Sequence, residues 1–422
     1  MSLLDSLVST PGSGVASVCS AHPVVLDETL RHAARTDRPA LVEATCNQVN
    51  HEGGYTGMTP ADFARDVRDR AREAGLPPEA LALGGDHLGP NPWKHLSATD
   101  AMARAEQMTA DYAGAGFTKL HLDTSIRCAD DPPGALAPEV AAARAARLAV
   151  VAERAADPAT LRYVIGTEVP VPGGESAGDH GIHVSASADV ARTLEVSHAA
   201  FEAAGVASVW ERVRAVVAQP GVEFSDRELF DYHPGQAAHL TEVLPATMVF
   251  EAHSTDYQRG EALAALVHDR FAVLKVGPGL TYAYREAMFA LAAVEDELLG
   301  TRGSGLRTAL EAAMLADPRH WEPFYPSTPV PAAFARAWSR SDRSRYYWPV
   351  PGVEAAVCRL LANLDRVGIP DELASQYLPW LSAGEVPGIA LDPAPTADVV
   401  RRAAVRRVLD VYAAATPPPV TP

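Results

Sequence analysis

Cysteine is scarce in this chain. Cys19, Cys46, Cys128 and Cys358 are its four, far apart and with no CxxC pair. That argues against a disulfide scaffold or a cysteine zinc ribbon, and points to reduced thiols in a cytoplasmic protein. Positive charge is also short. Lys plus Arg total 36 against 53 Asp plus Glu, a net charge of −17. Such a balance argues against nonspecific binding to nucleic acid or an anionic membrane. It leaves room for an anionic substrate in a locally positive pocket. No apolar run approaches the ~20 residues that span a bilayer, and the first residues carry no basic, apolar signal-peptide pattern. There is no GxGxxG after the first apolar run and no GxxxxGK[ST] anywhere. A dinucleotide fold and a P-loop kinase are therefore disfavoured. No internal repeat is visible.

What is present is alternation. Short β-like runs occur at Val15–Cys19, Ala40–Ala44, Leu81–Gly85, Lys119–Asp123, Leu161–Glu168, Arg214–Gln219, Met248–Ala252 and Ala272–Val276. Helical stretches follow at Val24–Arg35, Pro60–Glu73, Ala98–Ala115, Pro138–Ala155, Val190–Ala204, Asp226–Val243, Arg259–Asp269 and Tyr284–Leu299. Eight such units predict an α/β fold, a TIM (β/α)8 barrel over residues 1–300, rather than a doubly wound sheet. Residues 301–415 predict a helical extension packed on the barrel, and 416–422 a disordered tail.

Barrel chemistry sits where strands end. The most informative segment is Gly84-Gly85-Asp86-His87-Leu88-Gly89-Pro90-Asn91. It ends an apolar run on a carboxylate and an imidazole. Other tips carry Asn47, Asp123, Glu168, Glu223, His253 and Lys275. His87 and His253, with one or two carboxylates from Glu168 and Glu223, make a candidate divalent-metal site for zinc, manganese, cobalt or nickel. Asp86 and His87 are adjacent, so an extended strand end would point them apart: one to metal, the other to substrate as acid or base. Glu168 is a second candidate acid or base. Ser254, Thr255, Lys275 and Gly277 lie in the seventh and eighth loops, the usual phosphate corner of a barrel. Arg343 and Arg345 could add guanidinium contacts, while Asn47 and Asp123 are candidates to hold substrate. A plain Gly-Pro loop and a solvated arginine run are the bland alternatives.

These segments resemble a known family. The runs are Glu43-Ala44-Thr45-Cys46-Asn47-Gln48-Val49-Asn50, Gly53-Gly54-Tyr55-Thr56-Gly57-Met58, the Gly84 segment through Trp93, Glu251-Ala252-His253-Ser254-Thr255-Asp256-Tyr257-Gln258, Leu274-Lys275-Val276-Gly277-Pro278, and Ser341-Asp342-Arg343 with Tyr346-Tyr347-Trp348. They are similar to GatZ/KbaZ proteins. The resemblance implies a TIM barrel related to class II aldolases. It implies either a non-catalytic subunit of a class II D-tagatose-1,6-bisphosphate aldolase or 4-epimerisation of tagatose 6-phosphate and fructose 6-phosphate. Its implied partners are a phosphorylated ketohexose and an aldolase catalytic subunit, with a homo-oligomer left open. Carried over from the aldolase pattern, Asp86 is the acid, His87 and His253 are ligands, and Lys275-Val276-Gly277 is the late loop. The aldolase's middle ligand histidine has no evident counterpart; Glu223 is the nearest residue in register.

Overall fold

A computed structural model describes residues 2–166, 183–382, 384 and 395–419. Eight parallel strands close into a barrel: β1 (Val15–Cys19), β2 (Ala40–Thr45), β3 (Leu81–Leu88), β4 (Lys119–Leu122), β5 (Arg162–Ile165), β6 (Val213–Val217), β9 (Val249–Ala252) and β10 (Phe271–Val276). β1 pairs with β10 to complete the ring. A two-residue hairpin, β7 (Glu223–Phe224) with β8 (Leu229–Phe230), stands apart from it.

Helices α2 (Pro23–Thr36), α3 (Pro60–Glu73), α4 (Ala98–Gly114), α5 (Pro138–Ala155), α6 (Ser187–Ala203), α7 (Gly260–His268) and α8 (Pro278–Leu299) follow barrel strands. Helix α8 starts six residues before the predicted Tyr284, with Pro278 at its first turn, where a missing N–H costs nothing. The predicted helix Asp226–Val243 is not formed. That segment holds β8, a turn through Pro234-Gly235 and one short 3₁₀ stretch at Ala238–Glu242. The side-chain amide of Gln258 draws it in, accepting from Tyr232 N–H at 2.9 Å and donating to the Phe230 carbonyl at 3.0 Å.

The C-terminal part comprises α9 (Leu306–Ala316), α10 (Pro329–Trp338), α11 (Pro351–Val367), α12 (Asp371–Tyr377), α13 (Pro379–Ser382) and α14 (Ala397–Ala415). Helix α14 packs against α2, α7 and α8. The expected disordered tail is corrected at its start. Thr416 is buried, its carbonyl accepts from Arg38 at 2.7 and 2.9 Å, and the Pro417 carbonyl accepts from Gly14 N–H at 2.9 Å. Residues 420–422 lie outside the described residues.

Two cores result. One lies between strands and helices. The other fills the lower barrel with Val15, Leu41, Val164, Ala215, Val217, Val249 and Val273, and α1 (Leu3–Ser9) closes it with Leu4 and Leu7. Asp5 holds that plug in place by ion pairs to Arg162 and to Arg214 at 2.7 Å. Strand alternation then carries the same inward face upward from apolar to charged: Val15 to Ser17 to Cys19, Leu41 to Glu43, Val249 to Glu251, Val273 to Lys275. The barrel is thus dry below and ionic above, and the ionic layer is the floor of the site.

Candidate active site

The floor begins with Lys119, which is 1% exposed. Its ammonium lies 2.6 Å from Glu43 and 2.8 Å from Glu251. Glu43 accepts from the Ser17 hydroxyl as well. Gly84 makes this crossing of the barrel feasible, since a Cβ there would sit 2.7 Å from the Glu43 Cγ. Burial pushes the Glu251 carboxyl up. The ammonium groups of Lys119 and Lys275, and a bond from His253, outweigh that and hold it well below the usual carboxylate range.

Above the floor stand three imidazoles: His87, His121 and His253. Their ring centroids are 5.0, 4.8 and 5.2 Å apart. One ligand atom from each, with one from Asp86, all lie within 4.8 Å of one another. The four residues are buried.

Each imidazole is oriented by a different carboxylate. His87 Nδ1 is 2.9 Å from Asp123, His121 Nδ1 is 3.0 Å from Asp86, and His253 Nε2 is 3.0 Å from Glu251. The backbone N–H of His87 also points at His121 Nδ1, at 3.3 Å. The ionised carboxylate is the stronger partner and places the proton on His121 Nδ1. Each ring then keeps one nitrogen for a cation, the usual carboxylate–histidine arrangement behind a metal. His121 Nε2 is buried and without a hydrogen-bond partner among the described residues, so it is available as a ligand atom. Burial and the nearby Lys275 push the His253 imidazole down to about 3, so it stays neutral and able to ligate. The donor set fits a divalent metal.

The sequence expectation is corrected here in three ways. First, the third imidazole of the cluster is His121, not Glu223. Glu223 belongs to β7, pairs with Phe230, accepts from the Phe224 N–H at 3.0 Å, and is outside the cluster. Second, Asp86 and His87 do not diverge. The β3–β4 register shifts between Gly85 and Leu88, and His87 takes a left-handed φ of 49°. Such a bulge re-aims a side chain, so His87 Nε2 lies 3.8 Å from Asp86 Oδ2. Gly89 permits the bend, because a Cβ there would overlap the Asp123 carbonyl. Third, the Gly277 N–H is not open to phosphate. It and the Gly279 N–H donate to Asp256 Oδ1 at 2.9 and 2.6 Å. Glu168 lies outside the described residues.

A cavity of about 110 Å³ opens over the cluster, lined by Asn47, Asp86, His87, His253, Ser254, Asp256, Lys275, Gly277 and Arg345, among others. A second lobe, also of about 110 Å³, adjoins it through Cys19, Gln48, Tyr55, Gly277, Arg345 and Tyr346. Thr255 does not line it; its hydroxyl is spent on the Lys275 carbonyl and Tyr412. Nor does Arg343, which stacks 3.2 Å from the Phe324 ring centre. The arginine run is mostly a clasp on α8: buried Asp342 pairs with Arg285 at 2.8 Å and accepts from Thr281 at 2.6 Å.

Lys275 is ion-paired with Asp86, and Glu43 and Glu251 lie 3.6 and 3.9 Å away. Burial pulls its ammonium down, but these carboxylates and the neighbouring Cys19 raise it well above the usual lysine range. A permanently charged ammonium is a poor Schiff-base nucleophile. Asp86 is in turn held well below the usual carboxylate range; burial opposes this, and His87, Lys275 and His121 outweigh it.

Fold and site together define a parallel eight-stranded barrel with a three-histidine, one-carboxylate cluster at the C-terminal mouth. The chain belongs to the family described as "D-tagatose-1,6-bisphosphate aldolase subunit GatZ/KbaZ-like", which it matches over residues 3–417. A solved structure titled as a probable tagatose 6 phosphate kinase from Sinorhizobium meliloti 1021 is 47% identical, covers 95% of this chain and all of its own, and superposes with a TM-score of 0.86. More distant is the YdjI aldolase from Escherichia coli K12, at 11% identity, 85% and 92% coverage and a TM-score of 0.39. No described helix is long and apolar enough to cross a membrane.

Asp123 gives a prediction at this point. Expected to hold substrate, it lines neither lobe and is bonded to His87 Nδ1 instead. Asp123→Asn is expected to weaken zinc binding about 10- to 100-fold. Competition against a chromogenic chelator measures this, and an unchanged affinity would remove the positioning role.

Proposed function

We propose that this chain is a divalent-metal enzyme that interconverts tagatose 6-phosphate and fructose 6-phosphate by opening and reclosing the C3–C4 bond. The observation that carries the reading is the set of three imidazoles, each bonded to its own carboxylate, of which Asp86, the partner of His121, is ionised and lines the cavity. His87, His121 and His253 would hold the metal. A bound divalent ion supplies polarisation of the ketose carbonyl and stabilises negative charge on the adjoining oxygens.

The remaining work falls to the chain itself. Asp86 takes the C4 hydroxyl proton as the C3–C4 bond breaks, and returns it when the bond re-forms. Lys275 keeps Asp86 ionised and offers fixed positive charge beside it. Arg345 and Ser254 hold the phosphoryl group, and Asn47 and the Gly277 loop complete the wall. If the aldehyde fragment turns its other face before re-addition, C4 is inverted and nothing is lost.

Purified protein given Zn²⁺, Mn²⁺, Co²⁺ or Ni²⁺ is expected to convert tagatose 6-phosphate into fructose 6-phosphate, and to stop when chelated. Absence of turnover with all four ions removes this reading. The family's description supports a second one, in which the chain stabilises a class II aldolase subunit. Co-purification with such a subunit, and a longer active lifetime of the pair, would favour it.

A further inference from the structure

The two lobes of the cavity share six residues: Cys19, Gln48, Tyr55, Gly277, Arg345 and Tyr346. Two of the six are aromatic, and they come from distant parts of the chain. Tyr55 follows β2, and Tyr346 ends the short 3₁₀ stretch Arg343–Tyr346 of the C-terminal part. Their rings meet edge to face, with centroids 4.7 Å apart and planes at 74°. Both rings are held in place. Tyr346 stacks on His320, at 4.5 Å and 10°, and its hydroxyl accepts from Arg345 at 3.0 Å. Tyr55 is set by the glycine loop Gly53-Gly54-Tyr55-Thr56-Gly57. Gly54 has a φ of 55°, and a Cβ there would come 2.4 Å from the Gln48 carbonyl oxygen. That close approach lets the Tyr55 N–H donate to the Asn47 carbonyl at 3.0 Å and the Thr56 hydroxyl to the Gln48 carbonyl at 2.7 Å. Tyr55 lines both lobes and is still 37% exposed, so its ring stands between cavity and solvent.

We infer that the Tyr55–Tyr346 pair retains the phosphorylated three-carbon aldehyde between cleavage and re-addition, and so makes the reaction an epimerisation rather than a net cleavage. The inference rests on the sugar-phosphate reading above. In that reaction the C4 hydroxyl proton passes to Asp86 and the C3–C4 bond breaks. The electron pair stays with C3, in the enediolate of dihydroxyacetone, and C4 becomes the carbonyl of glyceraldehyde 3-phosphate. Re-addition to the other face of that carbonyl returns the proton and every atom. A fragment that turns must first give up contacts at its reacting end, and a loosened fragment next to water is lost unless something bars its way. Ring edges and faces can bar it without a hydrogen bond to either face of the carbonyl, which leaves the turn free. The pair stands beside Arg345, where the phosphoryl group of the same fragment is held.

The test gives tagatose 6-phosphate to the full chain, with the divalent ion that supports turnover, and follows two products. One is fructose 6-phosphate; the other is free glyceraldehyde 3-phosphate, read through its NAD-dependent dehydrogenase. The wild type is expected to release less than about one aldehyde per 100 epimerisations. Tyr55→Ala should raise that ratio about 10-fold or more, and Tyr55→Phe, which keeps the ring, should bring it back to within about 3-fold of the wild type. A merely structural role would lower both products together and leave their ratio where it was. If the alanine variant does not fold, Tyr346→Leu opens the same wall from the other side and should raise the ratio in the same direction. A ratio unmoved by either substitution, a phenylalanine variant that leaks as alanine does, loss of both products in the folded variants, or a wild type that already releases most of its aldehyde overturns the inference while C3–C4 cleavage stands. A wild type that forms neither product overturns both.

Discussion

Replacing Lys119 by methionine is expected to lower the stability of the fold by roughly 3–5 kcal/mol, because it strands buried charge. Methionine matches the length of the lysine stem, so packing is nearly conserved. What is lost is the ammonium 2.6 Å from Glu43 and 2.8 Å from Glu251. Both carboxylates are fully buried. Lys275 cannot stand in, since it lies 3.6 and 3.9 Å from them and is already paired with Asp86. Urea unfolding of the purified variant measures the loss. Adding Glu251→Gln should recover part of it, the signature of coupled charges rather than of a cavity. The same exchange at exposed Arg72, which is paired only to its neighbour Asp69 on α3, should change little. A Lys119 variant as stable as the wild type would mean that water or ions solvate the ionic floor.

The barrel was legible because eight apolar runs of strand length alternate with Ala-rich helical stretches, and nothing in the chain competes with that pattern. The strand positions agree to within a residue or two except at β3, which continues through Asp86 and His87 to Leu88, and at β5, which ends at Ile165 where a run to Glu168 was expected. The expected stop at Gly85 is replaced by a bulge inside a longer strand, and that is a tertiary feature. Its effect on His87 could not be read from alternation, since a left-handed residue breaks the period that alternation relies on. The helix expected at Asp226–Val243 failed for a related reason. Its shape is imposed by the side chain of Gln258, from a distant loop.

His121 was within reach of the sequence. Lys119, His121 and Asp123 recur every second residue on one strand, so Lys119 and His121 share the inward face, and Asp123 follows at the tip. His121 stands among the polar residues at the end of this strand, but the expected set of metal ligands does not include it. Glu223 was favoured for a place in register that the β7–β8 hairpin does not keep. The phosphate corner shows the opposite error. Gly277 and Gly279 are there, with N–H groups disposed as expected, but Asp256 has taken them. Burial pushes its carboxyl up to about 6 against the pull of those bonds. Only contacts between loops could reveal that.

Asp86→Asn is expected to lower turnover of tagatose 6-phosphate by about 10²- to 10⁴-fold, the range lost with a general acid–base group, while zinc stays bound. The side chain is isosteric, and its carbonyl still accepts from His121 Nδ1, so the imidazole keeps its orientation. It cannot take a proton from a hydroxyl. His121→Ala is expected to do the reverse at the first step: it removes an otherwise unpartnered Nε2 donor and the bound metal with it. Metal analysis by mass spectrometry, run beside the epimerase assay, reads both effects. If Asp86→Asn loses metal as His121→Ala does, Asp86 is a ligand and the proton passes through another group. If it loses neither metal nor turnover, the cluster is not where the reaction occurs. Geometry alone does not choose, because ligand atoms of all four residues lie within 4.8 Å of one another. Asp86 is distinguished by its partners. Its carboxylate faces an ammonium on one side and an oriented N–H on the other. That keeps it charged and aimed into the cavity, which suits proton transfer, while the imidazoles, each held from behind, suit ligation.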